Sequence, residues 1–94
     1  MIRRKNTAAD VTVTVTFVLD QEEVPAGPVS VVGDFNSWTP GSHVLRKRSN
    51  GTRSVAVTLP AGEQVRFRYL ADGGRWFDDP TADDHDSHGS LLRL

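Results

Sequence analysis

The sequence predicts an all-β fold: an immunoglobulin-like antiparallel β-sandwich with about seven strands. Three observations predict it. Apolar residues recur with a period of two along most of the chain. Turn signals such as Asn50-Gly51 and Asp72-Gly73-Gly74 separate the apolar stretches. No window joins a helix cap to an apolar stripe of period 3.6.

Residues 1–10 read as a flexible tail, basic at Arg3-Arg4-Lys5. Residues 11–94 read as one module. Val11, Val13, Val15, Phe17 and Leu19 alternate with threonines and Val18, the pattern of a half-buried strand. Pro25 and Pro28 mark the next segment as a loop. Val29 to Val32 is a short apolar strand, and His43 to Arg48 a third, its basic residues fitting an edge. Asn50-Gly51 is a hairpin turn leading into Arg53 to Leu59. Gln64 to Ala71 places Val65, Phe67, Tyr69 and Ala71 on one face and Arg66, Arg68 and Leu70 on the other. Asp72-Gly73-Gly74 turns the chain into Arg75-Trp76-Phe77. Asp78 to Gly89 reads as irregular, and Ser90 to Leu94 as a last strand. The expected core is Val13, Val15, Phe17, Val31, Val55, Val57, Val65, Phe67 and Tyr69.

Composition narrows the function. The 94 residues suit one domain. The absence of cysteine excludes disulfides, zinc-thiolate sites and thiol catalysis. A net charge of −1 argues against a general nucleic-acid or membrane-surface binder. No apolar run follows the basic N-terminus or is long enough to span a bilayer, so a cytoplasmic location is expected. No cofactor is expected.

The most informative stretch is Val31-Val32-Gly33-Asp34-Phe35-Asn36-Ser37-Trp38. Turn chemistry accounts for Gly33, Asp34, Asn36 and Ser37. It does not account for Trp38, followed by Thr39-Pro40-Gly41. A large ring there either lids the core or faces a ligand.

This hexapeptide precedes Phe67-Arg68-Tyr69-Leu70-Ala71-Asp72-Gly73, Arg75-Trp76 and Asp79-Pro80. In that order the segments resemble the family 48 carbohydrate-binding modules. That family includes the glycogen-binding domain of the AMP-activated kinase β subunit and the early-set domains of isoamylases and glycogen branching enzymes. The resemblance covers Val29 to Leu94. It implies non-catalytic binding of α-1,4-glucans, as polysaccharide or maltooligosaccharide, by a stand-alone module, and it admits a glycogen-metabolising enzyme or kinase as protein partner. Trp38 matches the first stacking tryptophan and Trp76 the second. Arg68 stands where binding members carry a lysine. Asn36 of the turn motif and Ser90, in place of a threonine, complete the implied contacts. His88 replaces a leucine and Leu92 a sugar-bonding asparagine, which removes one polar contact.

The chemistry fits those residue types. A pyranose buries its C–H face on an aromatic plane and offers its hydroxyl rim to donors. Hairpin register decides whether Trp76 can join Arg68. A two-residue Gly73-Gly74 turn puts Trp76 on the core face, and a three-residue Asp72-Gly73-Gly74 turn puts it beside Arg68, with glycine suiting the third position. Outward tryptophans and arginines have bland readings too, as core cover and solvated surface.

The acidic run Asp78, Asp79, Asp83, Asp84, Asp86 with His85 and His88 lacks metal-ligand spacing and reads as a solvated loop. A glycosidase pair would need a deep cleft for which so short a chain has little room. The basic residues permit a single-stranded nucleic-acid reading, against which twelve acidic residues weigh. The main alternative is a protein-interaction domain that kept the sandwich and lost the sugar site.

Overall fold

The alternating segment Thr12–Asp20 forms the longest strand together with Thr52–Pro60, its antiparallel partner over nine residue pairs. The computed structural model describes residues 2–6, 11–20 and 27–94. In chain order the strands are β1 Ile2–Asn6, β2 Thr12–Asp20, β3 Val29–Gly33, β4 Arg46–Lys47 and β5 Thr52–Pro60. They continue as β6 Gln64–Ala71, β7 Arg75–Phe77, β8 Asp84–Asp86 and β9 Gly89–Arg93. A 3₁₀ turn, Asp34–Asn36, follows β3.

One sheet runs β1-β2-β5-β4; the other runs β3-β6-β9-β8, with β7 also on β6. With β1 to β6 as strands A to F and β9 as G, this is the immunoglobulin arrangement of an ABED sheet packed on a CFG sheet. The expected sandwich is present, built from nine strands among the described residues rather than about seven. None of their helical segments is long and apolar enough to cross a membrane.

The core lies between the sheets, where strand alternation delivers Val13, Val15, Phe17 and Leu19 from β2 against Val65, Phe67 and Tyr69 from β6. Phe17 meets Phe67 at 4.9 Å between ring centroids, and Phe67 meets Tyr69 edge-on at 5.6 Å. Val55, expected inside, is only partly buried at the border of this cluster.

Three segments depart from expectation. Residues 2–6 of the expected flexible tail form β1, paired to β2 from Ile2↔Phe17 to Asn6↔Val13; residues 7–10 lie outside the described residues. Arg4 ties β1 to the opposite sheet through Asp83 at 2.6 Å and the Arg93 carbonyl at 3.2 Å. His43 to Arg48 is a crossover rather than one strand: Val44 bridges Ser30 of one sheet, and Arg46–Lys47 pair with β5 of the other. The acidic segment expected to be irregular contains β8, paired to β9.

The free edge of β3 is closed by its own loop, a protection that strand edges require. The Asn36 carboxamide accepts from the Gly33 N–H at 3.1 Å and donates to the Val31 carbonyl at 3.0 Å. Trp38 N–H donates to the Gly33 carbonyl, Val31 N–H to the His43 carbonyl and Leu45 N–H to the Val29 carbonyl, each at 2.9 Å.

Candidate functional site

The β6–β7 hairpin resolves the position of Trp76. Ala71 pairs with Arg75 and Leu70 with Trp76, so the turn is the three-residue Asp72-Gly73-Gly74. Gly74 N–H closes it on the Ala71 carbonyl at 3.2 Å, with Gly73 and Gly74 at φ 83° and 78°. These left-handed values are cheap only for glycine. Leu70 lies on the outer face of β6, so Trp76 does too, and its side of the sheet leaves it 48% exposed.

Arg68 is on the same face, two residues along β6. Its side chain crosses Gly89, where a Cβ would stand 3.1 Å from Arg68 Cγ and 2.9 Å from the Phe67 carbonyl. Arg68 Nη2 donates to the Ser87 carbonyl at 3.2 Å. Its buried Nε faces Asp78 Oδ1 at 3.3 Å, an ionic contact whose geometry falls short of a hydrogen bond. The guanidinium is thus tethered at one side, with 31% of the side chain open to solvent.

Trp38 sits at the other end of β6. Asp34 joins the two: its Oδ1 accepts from the Trp38 indole N–H at 3.0 Å and its Oδ2 from the Arg66 backbone N–H at 2.9 Å. From the Arg66 level to the Leu70 level is four residues of strand, roughly 14 Å. Arg68 lies midway between the levels of the two tryptophans. Trp38 is half-buried, and both it and Ser37 have positive φ, 55° and 54°. A bulky residue in that region carries backbone strain of order 1–3 kcal/mol, sustained only where surrounding contacts fix it. Here the bonds to Gly33 and Asp34 do so.

The other two residues expected to contact sugar have their polar groups engaged within the module. Asn36 has its carboxamide engaged in the β3 edge and with His43 Nδ1 at 3.0 Å. Ser90 is fully buried on the inner face opposite Phe67; its hydroxyl accepts from Asp79 N–H at 3.2 Å and donates to Asp78 at 3.1 Å. Leu92, where the resembling modules carry asparagine, is also fully buried, and His88 is exposed. The supporting residues Asp34, Asp78 and Gly89 escape sequence reading.

Beneath this face, Asp79 is fully buried and receives Tyr69 Oη at 2.6 Å, Thr81 Oγ1 at 2.6 Å and Thr81 N–H at 2.8 Å. Burial pushes its carboxyl up, but the donors from Thr81 and Tyr69 prevail and hold it below the ordinary 3.8.

The acidic run is paired rather than merely solvated: Asp83 with Arg4 at 2.6 Å, Asp84 with Arg93 at 2.8 Å, Asp86 with Arg66 at 3.0 Å. Partial burial raises the Asp83 carboxyl, yet Arg93 N–H and Arg4 bring it below its ordinary value. Neighbouring backbone N–H groups, of His85 and His88, together with the arginines lower Asp84 and Asp86. Among the described residues no group of three or more acidic, histidine or cysteine side chains is placed to hold a metal.

No protein-family profile matches the chain. Partial similarity to glucan-branching enzymes is found. The 1,4-alpha-glucan-branching enzyme of Solanum tuberosum is 31% identical over 55 residues, 51% of this chain and 6% of that enzyme. The chloroplastic/amyloplastic enzyme of Oryza sativa subsp. japonica is 29% identical over 66 residues, 62% of this chain and 8% of that enzyme. The branching enzyme GlgB of Rhodopseudomonas palustris (strain BisB5) is 43% identical over 47 residues, 49% of this chain and 7% of that enzyme. The chain therefore corresponds to a small fraction of each relative's length.

Proposed function

We propose that the chain is a carbohydrate-binding module of the family 48 type that holds α-1,4-glucans on the outer face of β6 and β7, without catalysis. The observation that carries this reading is the shared face of Trp76 and Arg68. A half-exposed indole offers a plane for a pyranose, and a tethered guanidinium offers donors to its hydroxyl rim. Trp38, pinned by Asp34, supplies the second ring. The partial similarity to branching enzymes supports glucan as ligand.

Four carboxylates of the segment after β7 support non-catalytic binding. Glycoside hydrolysis needs one carboxyl held protonated by a raised pKa. Asp79, Asp83, Asp84 and Asp86 are all shifted the other way.

Tryptophan fluorescence titrated with maltoheptaose tests the proposal. Saturable change with Kd on the order of micromolar to millimolar is expected, as shallow sites compete with water for each hydroxyl. A flat response through roughly 10 mM sugar, where even weak sites register, rejects it. Hydrolysis or transfer of the glucan rejects the non-catalytic part alone.

A further inference from the structure

Charge is divided between the two sheets. Among the described residues, the ion pairs link Arg4, Arg66, Arg68 and Arg93 to carboxylates of the segment between β7 and β9. On the first sheet the described carboxylate is Asp20, at the end of β2, whereas Arg3, Lys5, Arg46, Lys47, Arg48 and Arg53 all lie on or beside its strands. A chain with net charge −1 thus carries a cationic side.

Register arranges this side as a floor between two rails. On β1, Arg3 stands opposite Thr16 and Lys5 opposite Thr14, which places both cations on the outer face. On β4, Arg46 stands opposite Ser54 on that face. Arg48 extends the same rail: its Nε donates to Ser54 Oγ at 2.8 Å and Nη2 to the Ser54 carbonyl at 3.3 Å, drawing it over β5. Between the rails the side chains are short. Thr14 meets Thr58 at 3.5 Å between hydroxyls, and Thr16 stands opposite Ala56. Three strand spacings separate β1 from β4, roughly 14 Å.

We propose that this outer face docks an acidic α-helix of a partner protein, lying between the rails. A helix is about 10–12 Å wide with its side chains, and carboxylates on its two flanks would reach both rails. The short-chain floor permits close approach. The face offers no aromatic ring among its described residues, and single-stranded nucleic acid is commonly held by stacking on such rings. The surface is separate from the glucan face, so one module can hold a polymer on one sheet and a protein on the other.

The test is fluorescence anisotropy with a labelled helical peptide of alternating Glu-rich flanks and an alanine face, titrated with the full chain at low salt. Saturable binding that weakens steeply between about 50 and 300 mM salt is expected. The double substitution Lys5→Glu, Arg46→Glu is expected to weaken it about tenfold or more, with circular dichroism and maltoheptaose binding unchanged. Arg75→Glu, on β7 of the other sheet, is expected to leave peptide binding within about twofold. Absence of binding overturns the proposal, as does equal loss in the Arg75 variant. Tighter binding of a single-stranded oligonucleotide or of anionic vesicles assigns the face to another class of partner and overturns it too.

Discussion

The phenol of Tyr69 donates a 2.6 Å hydrogen bond to the fully buried carboxylate of Asp79, linking β6 to the loop after β7. The same loop carries Asp78, which faces Arg68. A buried polar contact thus lies directly behind the proposed sugar face. Buried carboxylates persist where donors satisfy them, and two Thr81 bonds add to the one from Tyr69.

This pair predicts an acid-sensitive fold. A carboxyl whose folded pKa lies below its unfolded value adds stability above the unfolded value and loses it as pH falls through the folded one. Asp79, Asp83, Asp84 and Asp86 all shift in that direction from 3.8. The stability these carboxylates contribute is therefore expected to be fully present near neutrality and to fall below about pH 4, read by thermal unfolding. Tyr69→Phe removes one donor and leaves Asp79 less satisfied, at a cost of about 1–3 kcal/mol. Its Tm is expected to fall at pH 7 and to depend less on acid than that of the wild type. An unchanged acid profile in the variant would place the sensitivity elsewhere.

The core makes a sharper prediction at two positions. Phe67→Ala removes a fully buried ring that touches both Phe17 and Tyr69, and is expected to cost about 3–5 kcal/mol. Gly33→Ala is expected to be comparably damaging for a different reason. Its φ of −168° suits any residue. A Cβ there, however, would stand 2.4 Å from the Arg66 carbonyl and 2.9 Å from both Phe35 Cε1 and Phe67 Cβ. Chemical denaturation, read by loss of far-ultraviolet circular dichroism, measures both.

Much of this architecture was legible because it depends on local alternation. Thr12 to Leu19 and Gln64 to Ala71 each display a period of two, so their inner faces could be named before any contact was known. The three-residue hairpin was legible because Gly74 stands where a left-handed residue is required. β1 was not: Ile2-Arg3-Arg4-Lys5-Asn6 has no apolar alternation, and its order comes from the β2 edge and from Arg4 reaching Asp83. Resemblance supplies the residue type at Ser90 without its burial; Ser90 faces inward opposite Phe67. At Asn36 the residue type alone does not assign a role, since a carboxamide serves a strand edge as readily as a sugar. The charge rails were invisible because β1 and β4 are distant in sequence and meet only through the sheet order.

Gly89→Ala is expected to disturb both stability and the proposed binding. Gly89 has φ 137°, strained for any side chain, and a Cβ would crowd the Phe67 carbonyl and Arg68 Cγ. The Phe67 carbonyl contact is relieved only by a backbone shift, whereas the Arg68 contact is relieved by displacing the Arg68 side chain, which disturbs its contacts with Ser87 and Asp78. A Tm decrease equivalent to about 1–3 kcal/mol is expected, with weaker maltoheptaose binding at temperatures where the variant remains folded. Loss of stability with unchanged affinity would remove Arg68 from the proposed contacts.

Trp38 separates binding from folding most cleanly. Trp38→Ala removes a half-buried ring outside the core cluster and leaves the Gly33 backbone bond available. Its cost to stability is expected to stay near the 1 kcal/mol typical of a partly exposed site. Its proposed loss of a stacking plane is expected to weaken maltoheptaose binding about tenfold or more. Asp34→Ala keeps the ring but removes the carboxylate that holds the indole N–H and caps Arg66 N–H. If a fixed ring is what matters, this variant also loses affinity, by less than Trp38→Ala, because ordering the ring then costs conformational entropy on binding. Isothermal titration of both variants, alongside Trp76→Ala, reads the order directly. Wild-type affinity in Trp38→Ala would leave Trp76 and Arg68 as the whole of the proposed glucan face.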